Sequence, residues 1–159
     1  NRYFRDTFIS YVHYKENGEM ATIRVDGVGV ANYDANYKIE AEDYFKAAGI
    51  TKKETKNRFA IVTTANKSYL NYPNVKGLEK YSKLNIHIAA KNGGKFSIKI
   101  LKNSLEGAIL GTQNIELHSN SEKVITINLK ELTNKENLYF LIEQLSNNQL
   151  QIDSFTFSK

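Results

Sequence analysis

Residues 84–101 read LNIHIAAKNGGKFSIKIL, and this stretch decides the fold. Apolar side chains alternate with polar ones on each side of Asn92-Gly93-Gly94. Alternation with a period of two is typical of a β-strand that has one buried and one solvated face, and an Asn-Gly pair favours a tight turn between two strands. The stretch therefore predicts an antiparallel pair, 84–90 and 96–101, joined by a turn at 92–94.

Short β-type runs also fill the sequence on both sides of this pair. They are separated by Gly, Asn, Ser and Lys, and no capped stripe with a 3.6-residue period interrupts them. The runs cover 37–42, 58–63, 69–75, 109–117, 124–129, 138–144 and 150–157. About nine short antiparallel strands at this spacing predict an all-β domain, a sandwich or a barrel, from residue 33 to residue 159. Residues 43–49 are expected to form a loop or a short helical turn.

The first 32 residues read as a separate β-hairpin and linker. Residues 3–14 alternate around Phe8 and Tyr11, Asn17-Gly18 supplies a turn, and residues 20–25 form a return strand. The glycines at 27 and 29 then indicate a connector that ends near Asn32. An isolated two-stranded hairpin is marginal in water, so this extension is expected to pack on the sandwich or to be poorly ordered.

Composition excludes several classes of function. The chain has 159 residues and a net charge of +5, but its lysines are interspersed with acidic residues, which argues against a nucleic-acid or membrane partner. It contains no cysteine, and so it has no disulfide, no thiolate metal site and no cysteine nucleophile. Because it begins at Asn1 without a signal sequence, it is expected to be a piece of a longer protein.

Four motifs, in order, resemble the family 6 carbohydrate-binding modules over about residues 36–159: YKIEAEDY at 37–44, YLNYPNV at 69–75, LGT at 110–112 and IDSFTF at 152–157. The resemblance implies a non-catalytic β-sandwich (jelly roll) that binds a plant or algal polysaccharide or oligosaccharide of the xylan or arabinan type.

Residues 3–30, with RDTFISY and YKENG, resemble the C-terminal tail of family 43 glycoside hydrolases. This second resemblance implies an upstream catalytic domain as partner, and a secreted, periplasmic or cell-surface location.

An acidic motif opens the first sandwich strand. Glu40 and Glu42 are two residues apart, so on one strand their carboxylates would share a face, and a neighbouring strand could bring Asp153 beside them. Three such oxygen donors suit calcium. The alternative is a solvated acidic pair beside Lys38, but two like charges on one face favour a counter-ion. The resemblance also implies a structural calcium ion at these three residues.

The resemblance also implies a sugar-binding cleft. Matched by position, Phe59 is the first aromatic platform, the second (usually Trp) falls at Asn120 or Ser121, and Gln151 stands where the family has Asn. The sequence contains no tryptophan, so binding in this cleft is expected to be weak, altered or absent. Tyr69 and Tyr72 offer a second set of rings on another face, although each alone also fits a core or edge-strand position.

Two other functions are weighed against sugar binding. A sandwich that has lost its cleft could instead pack on its own catalytic domain and stabilise it, and the missing tryptophan favours that alternative. An enzyme is not expected, because Glu40 and Glu42 would lie side by side and not across a substrate. The three histidines, at 13, 87 and 118, have no metal-binding spacing and are expected at the surface.

Overall fold

The computed structural model of the protein describes residues 9–14, 17–20, 30–55 and 58–159. These residues contain ten β-strands, two 3₁₀ turns and no α-helix, so the all-β prediction is confirmed. The 3₁₀ turns are Ala41–Asp43 and Leu78–Lys80. The strands are β1 (Tyr33–Asp34), β2 (Ile39–Glu40), β3 (Lys46–Ala48), β4 (Ile50–Thr55), β5 (Arg58–Thr63), β6 (Lys67–Lys76), β7 (Lys83–Lys102), β8 (Ile109–Asn128), β9 (Lys135–Gln144) and β10 (Gln151–Ser158).

Strand β7 belongs to both layers of the domain. Its first part, residues 83–89, pairs with β10, and its second part, residues 96–102, pairs with β9. Strand β8 pairs with β7 along nearly its whole length. One layer therefore has the order β4-β5-β10-β7-β8 and the other the order β3-β6-β9-β7-β8, with β2 added to β10 and β1 to β6. All ten strands are hydrogen-bonded into one continuous, curled sheet.

The glycines at 93 and 94 bend a strand and do not form a turn. Residues 84–90 and 96–101, predicted to be the two arms of a hairpin, are parts of the single strand β7. Gly93 has a φ of +67° and Gly94 a φ of +131°, values that glycine adopts readily. The hairpin turn instead follows Lys102, whose N–H donates to the carbonyl of Ala108 at 2.9 Å. The predicted turn at 92–94 is therefore wrong, because the Asn-Gly signal marks a positive φ whether or not the chain reverses.

An aromatic cluster fills the centre of the core. The ring of Tyr72 lies 4.8 Å from that of Phe155 and 5.2 Å from that of Phe140, and Tyr72 is fully buried. Its hydroxyl donates a hydrogen bond to the Ala41 carbonyl at 2.8 Å. The prediction that Tyr72 contacts a sugar is wrong, because Tyr72 is two residues from the buried Leu70 and so shares the inner face of β6 with it.

Part of the predicted N-terminal hairpin lies within the described residues. Tyr14 pairs with Met20 in an antiparallel bridge, and Gly18 between them has a φ of +84°. Residues 3–8 and 21–25, which the prediction assigned to the same hairpin, lie outside the described residues. The boundary near Asn32 stays a prediction.

Candidate functional site

The acidic motif is divided between a strand and a turn. Glu40 is on β2, opposite Ser154 of β10, and its carboxylate forms an ion pair with Lys38. Glu42 belongs to the 3₁₀ turn Ala41–Asp43 and not to a strand. The predicted side-by-side arrangement of two carboxylates on one strand is therefore wrong. A neighbouring strand was also predicted to bring Asp153 close to this motif. The pairing of β2 with β10 does place Glu40 next to the segment that contains Asp153.

The Glu42 carboxyl is the unusual group of this motif. It is 7% exposed, and among the described residues its Oε2 atom has no hydrogen-bond partner. Burial raises its pKa to about 7, and the charges of Asp43, Glu40 and Asp153 act in the same direction, against a backbone hydrogen bond that lowers it. A buried polar atom without a partner is destabilising. The site therefore favours either a proton or a cation at Glu42.

The donor chemistry at Glu42 fits a hard cation. Carboxylate oxygens are the ligands that calcium prefers, together with backbone carbonyls and water. Within the described part of the chain, no three acidic or histidine side chains are already grouped closely enough to hold a metal ion. Backbone carbonyls or water would therefore have to complete the coordination.

Phe59 and Gln151 do not share a surface. On β5, Val62 pairs with Gln151 while Ile61 pairs with Ile152 of the core. Because side chains alternate along a strand, Phe59 lies on the same face as Ile61, and Gln151 lies on the opposite face. The half-buried ring of Phe59 also contacts the ring of His13 at 5.3 Å between centroids. The strand register therefore does not bring Phe59 and Gln151 to one face, and the cleft that combines them stays a prediction.

Gln151 and Asn120 both lie in the layer β4-β5-β10-β7-β8. Gln151 is in register with Val62 and Ala89, and Ala89 is in register with Glu122, so this row contains no aromatic side chain. Asn120 is exposed, with a φ of +56°, between residues that pair with Asn92 and Ala90. These two residues offer hydrogen-bonding groups without a stacking platform.

A pair of half-buried tyrosines lies on the outer face of the other layer. Tyr69 on β6 and Tyr139 on β9 have ring centroids 6.2 Å apart and an interplanar angle of 40°. Each alternates with core residues, Leu70 beside Tyr69 and Phe140 beside Tyr139, so both rings point away from the core. The sequence analysis missed Tyr139, although its position between the apolar residues Leu138 and Phe140 marks an outward-facing site.

Polar groups surround this tyrosine pair. Lys99, which is opposite Leu141 in the register, forms an ion pair with Glu143 at 2.9 Å. Asn71, opposite Tyr139, donates its side-chain amide to the Leu138 carbonyl at 3.2 Å. The face therefore combines two rings with an ammonium and a carboxylate group, which can bind the ring faces and hydroxyls of a sugar.

The histidine at 13 was predicted to be a surface residue and is half-buried. Its Nε2 lies 3.3 Å from Asp43 Oδ1, and its Nδ1 lies 2.9 Å from Lys52 Nζ. His87 and His118 are exposed, as expected.

Within the described residues, no helix is long and apolar enough to cross a membrane.

The sequence model of one family, described as carbohydrate binding module (family 6), matches residues 40–159. No curated protein sequence matches the chain. The resemblance of residues 3–30 to the tail of family 43 enzymes stays a prediction.

Many solved structures share the fold, and three examples follow. A family 6 carbohydrate-binding module from Clostridium cellulolyticum, in complex with xylose, is 22% identical, covers 79% of this chain and 99% of its own, and has a TM-score of 0.71. CsCBM6-3 from Clostridium stercorarium, in complex with cellobiose, is 18% identical, covers 80% and 97%, and has a TM-score of 0.68. A family 43 arabinoxylan arabinofuranohydrolase from Bacillus subtilis, in complex with cellotetraose, is 17% identical, with a TM-score of 0.67; the match covers 94% of this chain and 33% of that one. At these identities the likeness establishes the fold, and the β-sandwich prediction is confirmed.

Proposed function

The chain belongs to the family 6 carbohydrate-binding modules, and on that premise we propose that it holds an attached glycoside hydrolase on a plant or algal polysaccharide of the xylan or arabinan type. The family is non-catalytic, so the module itself is not an enzyme. The proposal concerns the glycan, the surface that binds it and the attached enzyme. A secreted, periplasmic or cell-surface location would accord with such a substrate.

The tyrosine pair is the observation that carries the proposed binding surface. Sugars stack their apolar ring faces on aromatic side chains, and the rings of Tyr69 and Tyr139 lie on one outward face. The nearby Lys99–Glu143 ion pair offers donors and an acceptor to hydroxyl groups. We therefore place the glycan across β6 and β9, over Tyr69 and Tyr139, and give Gln151 and Asn120 no more than a contact with a longer chain.

We also propose a structural calcium ion at Glu42, with backbone carbonyls or water completing its coordination and with Glu40 and Asp153 adding negative charge nearby. The support is the orphaned buried Oε2 of Glu42 and the acidic charges that surround it. Bound calcium would supply positive charge that neutralises these carboxylates and links the β2 region to β10.

The alternative function is a sandwich that binds no sugar and stabilises its own catalytic domain. It is favoured by the state of two predicted sugar contacts, since Tyr72 is buried in the core and Phe59 contacts His13. Tyr72 is therefore not free to stack on a glycan, and part of the Phe59 ring is covered by His13.

Affinity electrophoresis distinguishes the two functions. The full chain is run in native gels that contain arabinoxylan, arabinan, a β-1,3-glucan or dextran. All are neutral polymers, so the net charge of +5 cannot by itself cause retardation. Retardation by arabinoxylan or arabinan, and not by dextran, supports the proposal. Retardation only by the β-1,3-glucan would reassign the glycan, and no retardation in any gel would favour the structural alternative.

A further inference from the structure

We propose that residues 9–14, here called the strap, form a rigid joint that fixes the orientation of a domain attached ahead of the sandwich, in place of a flexible tether. The strap lies outside the region that matches the family, which begins at residue 40. The inference rests on the attached domain of the proposed function, but it does not depend on glycan binding.

A directed chain of hydrogen bonds holds one side chain of the strap. The Tyr33 hydroxyl donates to the Asp43 carbonyl at 2.6 Å, so the Tyr11 hydroxyl is the donor in its own 2.6 Å contact with Tyr33. The Tyr11 oxygen in turn accepts from the Ala31 N–H at 3.1 Å. Burial raises the pKa of Tyr33 far above its ordinary value, which keeps its hydroxyl protonated as a donor. In this series of hydrogen bonds, each contact has one donor and one acceptor. The strap therefore has one preferred position.

A second anchor is formed by His13. An ammonium group has no lone pair to accept with, so Lys52 Nζ donates to Nδ1 at 2.9 Å, and the proton on Nε2 faces Asp43 Oδ1 at 3.3 Å. The imidazole also packs on the ring of Phe59. Lys52 is itself held over the ring of Tyr44, with its Nζ 4.7 Å from the centroid. The anchor thus joins the strap to β4, to β5 and to the 3₁₀ turn Ala41–Asp43.

From Tyr11 to Tyr14 the side chains of the strap alternate between the sandwich and solvent. Tyr11 and His13 face the sandwich and are half-buried, whereas Val12 is 43% exposed and Tyr14 is 64% exposed. An alternation of this kind is typical of an extended segment that is packed on one side. Two anchors two residues apart fix both the position and the direction of such a segment.

The extent of the structural matches accords with this interpretation. The two free-standing modules cover 79% and 80% of the chain, about the length of the sandwich alone. The fold match to the arabinofuranohydrolase extends over 94% of the chain, although that protein is about three times as long. The likeness to that longer protein therefore includes part of the N-terminal extension.

The rigidity of the joint can be measured by the distance between two spin labels on the full chain. The chain has no cysteine, so labels can be attached cleanly through Tyr14→Cys on the strap and Lys83→Cys at the start of β7. A rigid joint gives one narrow distance distribution. Tyr11→Phe and His13→Ala, alone and combined, remove the anchors and should broaden it at least about twofold, while hydrogen-exchange protection of residues 9–14 falls about tenfold.

The control is Lys53→Ala, which removes an exposed lysine next to Lys52 on the same strand and should leave the distribution unchanged. A broad distribution in the parent, or equal broadening by Lys53→Ala, would overturn the proposal. Tyr11→Phe is conservative enough to keep the fold, so an unfolded His13→Ala variant would not end the test. Glycan binding is measured on the same samples and should be unchanged by the anchor variants. A loss of glycan binding can therefore be distinguished from a loss of rigidity in the joint.

Discussion

Tyr69 on β6 and Tyr139 on β9 lie diagonally across two paired strands and form the outward-facing aromatic pair of the sandwich. If a sugar stacks on both rings, Tyr69→Ala and Tyr139→Ala should each weaken binding about five- to tenfold, or about 1 to 1.4 kcal/mol. Isothermal titration with xylo- or arabino-oligosaccharides measures the loss. Tyr37→Ala is the control, because Tyr37 is 67% exposed and lies in the loop between β1 and β2, outside the strands that hold the tyrosine pair. Equal affinities for all variants would locate the site elsewhere.

Calcium should stabilise the folded chain through Glu42. At about 100 times its dissociation constant, a ligand that binds only the native state adds about 2.7 kcal/mol, which for a domain of this size raises Tm by roughly 5 to 10 °C. Thermal melts in calcium and in excess chelator measure the shift. Glu42→Gln should abolish the shift, and Glu79→Gln, at an exposed position, should keep it. If neither calcium nor chelator changes the Tm of the parent protein, the proposal is contradicted.

Without calcium, the raised pKa of Glu42 should make stability fall as pH increases. The native state holds a proton at Glu42 up to about pH 7, whereas the unfolded chain loses it near 4.5. The native state therefore binds more protons between these values, and the Glu42 contribution declines by about 3 kcal/mol over that range and is constant above it. Urea unfolding in chelator at pH 5 and at pH 7.5 measures the change.

Glu42→Gln isolates this contribution because an amide does not titrate there. Relative to the parent, the variant should gain stability at pH 7.5 and gain little at pH 5. An equal effect of the substitution at both pH values would show that Glu42 does not carry the dependence.

Gly93→Ala should destabilise the bend in β7 by at least about 2 kcal/mol. A Cβ atom at Gly93 would lie 2.6 Å from the Leu117 carbonyl oxygen, and the φ of +67° adds strain. Gly18→Ala is a matched control, since Gly18 also has a positive φ but would place its Cβ in open space, at a cost of about 1 kcal/mol. Urea unfolding measures both. Equal losses would mean that the contact with Leu117 contributes nothing.

Sequence patterns predicted the strands better than their boundaries. The alternation at Ile86, Ile98 and Phe140 gave the correct buried face, because a period of two depends only on local geometry. The merging of two predicted arms into β7 could not be predicted, since a positive φ at glycine serves a bend as well as a turn. Strand β4, with Lys52 and Lys53 in its centre, has a weak apolar pattern because it lies at an edge.

The sites depended on three-dimensional relations that local patterns do not contain. Glu42 was predicted to be a calcium ligand on one strand with Glu40, but the 3₁₀ turn that contains Glu42 was not foreseen. Phe59 and Gln151 were matched by position to one cleft, yet strand register places them on opposite faces. Tyr139 became visible only when the pairing of β6 with β9 brought it to Tyr69.

The position of β10 has a consequence for the biosynthesis of the module. Residues 151–158 form β10, which lies between β5 and β7. One layer of the sandwich therefore lacks its middle strand until these residues have been synthesised. On the ribosome, β5 and the long β7–β8 hairpin emerge first and expose the apolar side chains that β10 will cover. The nascent module therefore remains vulnerable to proteases and to aggregation until residue 158 has left the exit tunnel, and then closes in a late step.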